Sequence, residues 1–190
     1  PGMMVCVGAN GTTNGGAVYV VTNSGLDYAS TFTFYRSTNG GSTFSLRSTQ
    51  SYTGYVGTWI GGRHTVESMR TRPYPFIAAD NSNGPYRGRL YLVYATNNPA
   101  GNGNKPNVYC RYSTNGGLTF SAAVRVNDDA STTANHQFQP AIWCDTQTGR
   151  LYIHWIDTRD DLVGDNDGYI YGTYSDNGGV SFVTNQKISN

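Results

Sequence analysis

The stretch from 49 to 73 concentrates side chains that recognise sugars and carboxylates. Aromatic faces stack on sugar rings, and planar guanidinium groups bind carboxylates through paired hydrogen bonds. In this stretch, aromatic and basic residues meet the only glutamate of the chain, Glu67. An ordinary link with exposed arginines and packed tyrosines is the alternative interpretation. The ligand-binding residues that we predict here are Tyr52, Tyr55, Trp59, Arg63 and His64.

A second concentration of ionisable groups lies between 157 and 168. Its acids repel one another unless water or a cation screens them, and Ca²⁺ takes six to eight oxygen ligands from flexible loops. The segment 165–168 resembles the start of a calcium-binding EF-hand loop but lacks its distal glutamate. The alternative is a solvated acidic loop that Arg159 braces. The calcium ligands that the spacing predicts are Asp157, Asp160, Asp161, Asp165 and Asp167.

The composition excludes several classes of protein. Thirteen Lys and Arg balance twelve Asp and Glu, and no basic run occurs, so we expect no nucleic-acid partner. No apolar stretch approaches the length of a membrane-spanning helix. The three cysteines Cys6, Cys110 and Cys144 form no CxxC pair, which argues against a zinc site. Few lysines and a single glutamate favour an extracellular protein.

One turn motif occurs three times, over 35–44, 112–120 and 174–182. Each copy runs from a tyrosine through Ser, Asn and two glycines to a phenylalanine. Asn-Gly-Gly tolerates the positive φ that a tight hairpin requires, and the Asn side chain bonds nearby backbone amides. We therefore assign a structural role to Ser37, Asn39, Gly41, Phe44, Ser113, Asn115, Gly117, Phe120, Ser175, Asn177, Gly179 and Phe182.

The residues that precede each copy also match, so every repeat reads as four short strands with turns between them. With 24 glycines and 15 tyrosines, the chain favours strands and tight turns over long helices. The sequence thus predicts a single all-β domain over 1–190. Its four-stranded antiparallel units span about 1–48, 74–126 and 138–188, and 49–73 links the first two.

The turn motif resembles the Asp-box, or BNR repeat, Ser-x-Asp-x-Gly-x-Thr-aromatic, of sialidases and other β-propellers. All three copies carry Asn where that family most often has Asp, and the third has Ser181 in place of Thr. The resemblance implies a β-propeller in which each four-stranded unit is one blade. Propellers have about four to eight blades, so three blades form part of a ring of six or more. The remaining blades would come from a longer parent chain or from a second copy of this one.

The resemblance also directs attention to one end of the blades. In a meander the connections alternate between ends, so the three turns lie at one end and the stretch 49–73 at the other. Sialidases use an arginine triad for the sugar carboxylate, a tyrosine nucleophile activated by a glutamate, and an aspartate as acid and base. Their Arg-Ile-Pro signature is absent. Residues of suitable type for catalysis are Glu67, Arg70, Arg72 and Tyr74.

Two functions follow from these observations. The first is an extracellular, sialidase-like propeller segment that binds glycans or proteins on a cell surface or in a secreted assembly, without catalysis. The alternative is part of a sialidase-like exo-glycoside hydrolase whose other catalytic residues lie in blades outside this chain. Fold alone does not choose between them, because propellers host enzymes, lectins and scaffolds.

Overall fold

A computed structural model shows an all-β protein. It describes residues 2–12, 15–23, 31–52, 54–66, 68–97, 106–130, 135–161 and 167–190. Within these ranges the chain forms three four-stranded antiparallel sheets and one three-stranded sheet. No helix of the described residues has the length and apolarity needed to cross a membrane. The predicted all-β propeller fold with four-stranded antiparallel blades is confirmed.

Each blade is a meander whose strands follow one another in space as they do in sequence. Blade 1 consists of β1 Met3–Thr12, β2 Gly15–Asn23, β3 Thr31–Ser37 and β4 Ser45–Ser51. The stretch that follows blade 1 contains a small sheet of β5 Thr58–Ile60, β6 Arg63–Val66 and β7 Met69–Arg70, here called the cap sheet. Blade 2 consists of β8 Phe76–Ala79, β9 Leu90–Thr96, β10 Asn107–Ser113 and β11 Val124–Arg125. Blade 3 consists of β12 Gln137–Cys144, β13 Leu151–Asp157, β14 Tyr169–Ser175 and β15 Gln186–Lys187.

The three repeated turns join the third and fourth strands of their blades and share one hydrogen-bond pattern. In blade 1, the backbone N–H of Gly41 donates to Ser37 Oγ at 2.9 Å. The Ser37 hydroxyl donates to Asn39 Oδ1 at 2.8 Å, and that oxygen also accepts from the backbone N–H of Thr43 at 3.0 Å. Gly41 has a φ of 90°, which only glycine adopts readily. The corresponding bonds recur in blades 2 and 3.

Apolar side chains between neighbouring blades form the core. Alternate residues of each inner strand point to opposite faces of the blade, as the two-residue period of a strand requires. We call the face towards the next blade the trailing face and the other the leading face. The trailing face of blade 1 places Phe32 and Phe34 against Leu90, Leu92 and Tyr94 on the leading face of blade 2.

Blades 2 and 3 pack in the same way. Tyr91, Val93 and Cys110 on the trailing face of blade 2 contact the leading face of blade 3, which is centred on Ile153 and Trp155. Burial raises the pKa of the Cys110 thiol to about 12. All three cysteines, Cys6, Cys110 and Cys144, are free thiols.

Candidate functional site

Three aromatic rings meet on the cap sheet at the end of the blades opposite the repeated turns. Trp59 on β5 pairs with His64 on β6, and their ring centroids lie 5.0 Å apart in an edge-to-face arrangement. Tyr55 stacks on the other side of His64 at 4.8 Å, with an interplanar angle of 22°. The imidazole is buried, whereas Trp59 is 53% exposed. Tyr55, Trp59 and His64 therefore form an aromatic platform with one large ring accessible from solvent.

Backbone hydrogen bonds fix the platform to blade 2. The N–H of Gly57 donates to Asn97 Oδ1 at 2.9 Å, and the N–H of Asn97 donates to the Tyr55 carbonyl at 2.7 Å. Gly57 has a φ of 84°, and a Cβ there would lie 2.1 Å from the Thr65 carbonyl oxygen. Only glycine fits this position, because both the backbone conformation and the close approach exclude a side chain.

Apolar packing fixes the cap sheet to blade 3 as well. Val56 and Val66 are almost fully buried and cluster with Ala95 at the end of β9 and with Phe138 on β12. The N–H of Thr71 also donates to the His64 carbonyl at 3.0 Å. The platform therefore rests on a rigid base that spans the end of the interface between blades 2 and 3.

The other two predicted ligand-binding residues lie in different surroundings. Arg63 is exposed on β6, where it pairs with Ile60 beside the platform. Tyr52 instead packs in the core between blades 1 and 2, stacked on Tyr94 at 5.6 Å. The Arg111 guanidinium lies 4.1 Å from its ring centroid, and burial raises the pKa of Tyr52. These contacts assign Tyr52 to packing between the blades.

Three of the predicted catalytic residues, Arg70, Arg72 and Tyr74, lie between the cap sheet and the inner strand of blade 2. Glu67 lies outside the described residues. Arg70 is exposed on β7, and Arg72 is partly buried just beyond it. The N–H of Tyr74 donates to the Arg72 carbonyl at 2.8 Å. The Tyr74 ring covers the backbone at Gly2, where a Cβ would come within 2.2 Å of the ring.

The structure adds Gln139, which the sequence analysis did not single out. Gln139 lies in a β-bulge of β12 between Phe138 and Ala141 and has a φ of 50°, a strained value for a residue with a side chain. Its exposed amide donates to the Met69 sulfur at 3.4 Å, which connects the inner strand of blade 3 with the cap sheet. Pro140 was the available signal, because proline within a strand marks an edge or a bulge.

The predicted calcium cluster is organised around Asp157, whose side chain is fully buried. Its carboxylate accepts from Trp155 Nε1 at 2.8 Å and from Gln137 Nε2 at 3.1 Å. Arg159 contributes its backbone N–H at 2.9 Å and two guanidinium bonds at 3.0 and 2.7 Å. Five donors thus occupy the lone pairs of this carboxylate, which explains how a charge is tolerated in the core.

Arg159 extends this network across two blades. Its guanidinium also bonds Asp128 Oδ1 at 2.7 Å and Asn185 Oδ1 at 3.1 Å, and it covers the Tyr171 ring at 4.4 Å. Asp128 Oδ2 accepts from the backbone N–H of Asn185 at 2.9 Å. Although partial burial opposes ionisation, these bonds lower the pKa of Asp128 below its usual value.

The other acids of the cluster also have protein partners. Asp160 bonds Lys187 Nζ at 2.8 Å and the Tyr171 hydroxyl at 2.9 Å, and these bonds lower its pKa. Burial, followed by the bond to Asp160, raises the pKa of Tyr171 to about 12. Asp161 accepts from the backbone N–H of Asp167 at 3.0 Å, whereas Asp165 lies outside the described residues. Among the described residues, His, Cys, Asp and Glu form no group of three or more that could hold a metal ion. The calcium site stays a prediction.

Several solved structures share this fold. The α-L-arabinanase of Penicillium chrysogenum, solved with arabinobiose, matches 99% of this chain and 49% of its own, with a TM-score of 0.61 and 16% identity. An α-L-arabinofuranosidase of Fusarium graminearum, solved with an iminosugar inhibitor, matches 99% of this chain and 49% of its own, with a TM-score of 0.57 and 14% identity. A xylan β-1,4-xylosidase of Bacillus halodurans C-125 matches all of this chain and 32% of its own, with a TM-score of 0.56 and 14% identity.

At such low identities these likenesses show the fold alone. The chain spans about half the length of the arabinanase and the arabinofuranosidase. None of the three proteins is a sialidase by name, so they support the propeller fold and not the narrower sialidase resemblance. No family model matches the chain, and no curated protein matches it either.

Proposed function

We propose that this chain is the carbohydrate-binding part of an extracellular β-propeller and that the aromatic platform stacks on a sugar ring. The exposed indole of Trp59 carries the proposal, because a large aromatic face held rigidly at a surface suits the apolar face of a pyranose or furanose. The His64 ring contacts Trp59 with centroids 5.0 Å apart, and Tyr55 supports His64 at 4.8 Å.

Polar groups around the platform would supply the hydroxyl contacts that give orientation. The exposed Gln139 amide is one such group, because it bonds Met69, which lies on the same face of the cap sheet as Trp59 and His64. Arg63 pairs with Ile60 and points to the other face of the sheet. The arabinobiose bound to the Penicillium arabinanase makes a neutral pentose oligosaccharide the first ligand to test. A secreted or cell-surface location follows from such a ligand and is part of the proposal.

The test is a titration of the protein with arabinobiose, in which binding is measured by tryptophan fluorescence and by calorimetry. We expect Trp59→Ala to weaken binding about tenfold, the scale of one lost stacking contact with its buried area. Ile60→Ala is the matched control, because Ile60 is 58% exposed on the same strand and points to its other face. Equal affinity of wild type and Trp59→Ala would contradict the proposal. Binding of a sialoside in preference to arabinobiose would restore the narrower sialidase-like interpretation.

The alternative function is part of an exo-glycoside hydrolase whose remaining catalytic groups lie in blades outside this chain. It is supported by the hydrolase names of the similar structures and by the half-length match. Its test is hydrolysis of aryl arabinofuranosides and sialosides by the full-length protein. Loss of turnover in Glu67→Gln and Arg70→Ala would favour this alternative, and unchanged turnover would remove both residues from the mechanism.

A further inference from the structure

At the interface between blades 2 and 3, an arginine of blade 2 donates a hydrogen bond to blade 3. The Arg89 guanidinium lies 4.1 Å from the Tyr112 ring centroid on its own blade. From there it donates to the Gly178 carbonyl in the repeated turn of blade 3 at 2.7 Å. The trailing face of one blade thus supplies an arginine stacked on a tyrosine, and the leading face of the next supplies a glycine carbonyl.

Blade 3 repeats the same arginine on its own trailing face, where no described blade follows. Arg150 precedes β13 as Arg89 precedes β9, and its guanidinium lies 4.1 Å from the ring of Tyr174, the counterpart of Tyr112. Its Nε and Nη2 bond the Asp176 carboxylate at 2.6 and 3.0 Å, and its side chain is 37% exposed. Large apolar groups on this blade are also exposed: Trp143, Tyr152, Val183 and Ile188.

The leading face of blade 1 carries the other half of such an interface, a repeated turn that no described arginine of another blade contacts. A Cβ built at Gly40 or Gly41 would meet no described atom within 4 Å, whereas one at Gly178 would meet Arg89 at 2.5 Å. Phe44 is 45% exposed, although its counterpart Phe120 packs on Phe34 of the preceding blade with centroids 4.5 Å apart. Other apolar residues exposed on blade 1 are Met3, Val5, Val7 and Leu46.

We propose that a second copy of this chain covers both faces. The trailing face of blade 3 in each copy would pack on the leading face of blade 1 in the other, with Arg150 reaching the Gly40 carbonyl as Arg89 reaches Gly178. One two-fold axis then forms both contacts and buries both sets of exposed apolar residues. A second copy is favoured because this chain itself carries the two matching halves of one interface. Two copies give six blades, within the range of about four to eight found in propellers.

The experiment compares the mass of the natural protein under denaturing and native conditions. If the denatured mass is 20.6 kDa, we expect a native mass twice as large at micromolar concentration. We expect Phe44→Asp to give a monomer, since a carboxylate would be placed in an apolar contact. Arg150→Ala should weaken dimerisation about a hundredfold, because it removes one charge-assisted hydrogen bond from each of the two equivalent contacts. Ile60→Asp, at a more exposed apolar site on the cap sheet, is the control and should stay dimeric.

Three results would overturn the proposal. A folded monomer of the wild type, verified by near-ultraviolet circular dichroism, would show that the faces do not pair. A dimer that survives both Phe44→Asp and Arg150→Ala would place the interface elsewhere. A denatured mass well above 20.6 kDa would assign the two faces to further blades of the same polypeptide.

Discussion

Replacing Asp157 tests whether the buried network between blades 2 and 3 stabilises the fold. Asp157→Ala leaves Trp155 Nε1, Gln137 Nε2 and the Arg159 guanidinium without their common acceptor. The Asp157 side chain is fully buried and that of Arg159 is 15% exposed, so water replaces little of what is lost. The variant therefore leaves a poorly solvated positive charge in the core.

The size of the effect follows from that burial. Removing one partner of a buried ion pair costs about 3–5 kcal/mol of unfolding free energy. Because the melting temperature of a domain of this size falls by about 2–4 °C per kcal/mol, we expect it to drop by about 6–20 °C. Asp157→Asn should lose less, since its amide keeps one acceptor oxygen in place.

Urea unfolding followed by tryptophan fluorescence measures the loss. Lys187→Ala is the matched control: it also breaks an ion pair of blade 3, but the Lys187 and Asp160 side chains are 36% and 35% exposed. The control should lose much less stability than Asp157→Ala. A double variant of Asp157 and Arg159 should cost less than the sum of the single variants. Equal losses in Asp157→Ala and Lys187→Ala, or full additivity in the double variant, would refute the reasoning.

Two further predictions concern the cap sheet and the loss of stability at low pH. Gly57→Ala should loosen the platform and weaken arabinobiose binding in calorimetry, because its Cβ would strike a carbonyl oxygen of β6. Gly61 also has a positive φ, but its Cβ would meet no described atom within 4 Å, so Gly61→Ala should weaken binding less. Asp128 has a lowered pKa in the folded state, so its contribution is present above its ordinary value of 3.8 and is lost as the pH falls through the folded pKa. Urea titrations at pH 6 and pH 3 measure how much unfolding free energy is lost between the two values. This loss should be smaller for Asp128→Asn than for wild type, and an equal loss would contradict the lowered pKa of Asp128.

The sequence predicts the blades well because their signals are local. Asn39, Gly40 and Gly41 form a tight turn with bonds that span at most four residues, and the same spacing recurs twice. Alternation of buried and partly buried residues in β3 then follows from the period of a strand. Repeats of this kind specify both the strands and the connections between them, so the fold class needed no long-range information.

The candidate site is harder to predict because distant residues form it. The cap sheet depends on the bonds between Gly57 and Asn97, which lie 40 residues apart, and Gly57 lies outside the repeated units. Tyr52 and Trp59 are both aromatic residues of the stretch 49–73, yet Tyr52 packs between two blades and Trp59 faces solvent. The five acids of the predicted calcium cluster likewise gave no indication that Arg159 would bridge Asp157 to another blade.

The two ends of the blades therefore serve different functions. At the end with the repeated turns, backbone carbonyls are used to join blades: Arg47 donates to the carbonyls of Gly116 and Asn115 at 3.1 and 2.6 Å, and Arg89 donates to Gly178. The turns of blades 2 and 3 cannot vary freely, because each packs on the blade before it. At the opposite end, side chains such as Arg159 and Asp128 join blades, and the chain also adds the cap sheet with its exposed Trp59. A ligand site on the cap sheet can change without disturbing the repeated turns, and this separation explains why one turn motif recurs while the loops beyond it differ from blade to blade.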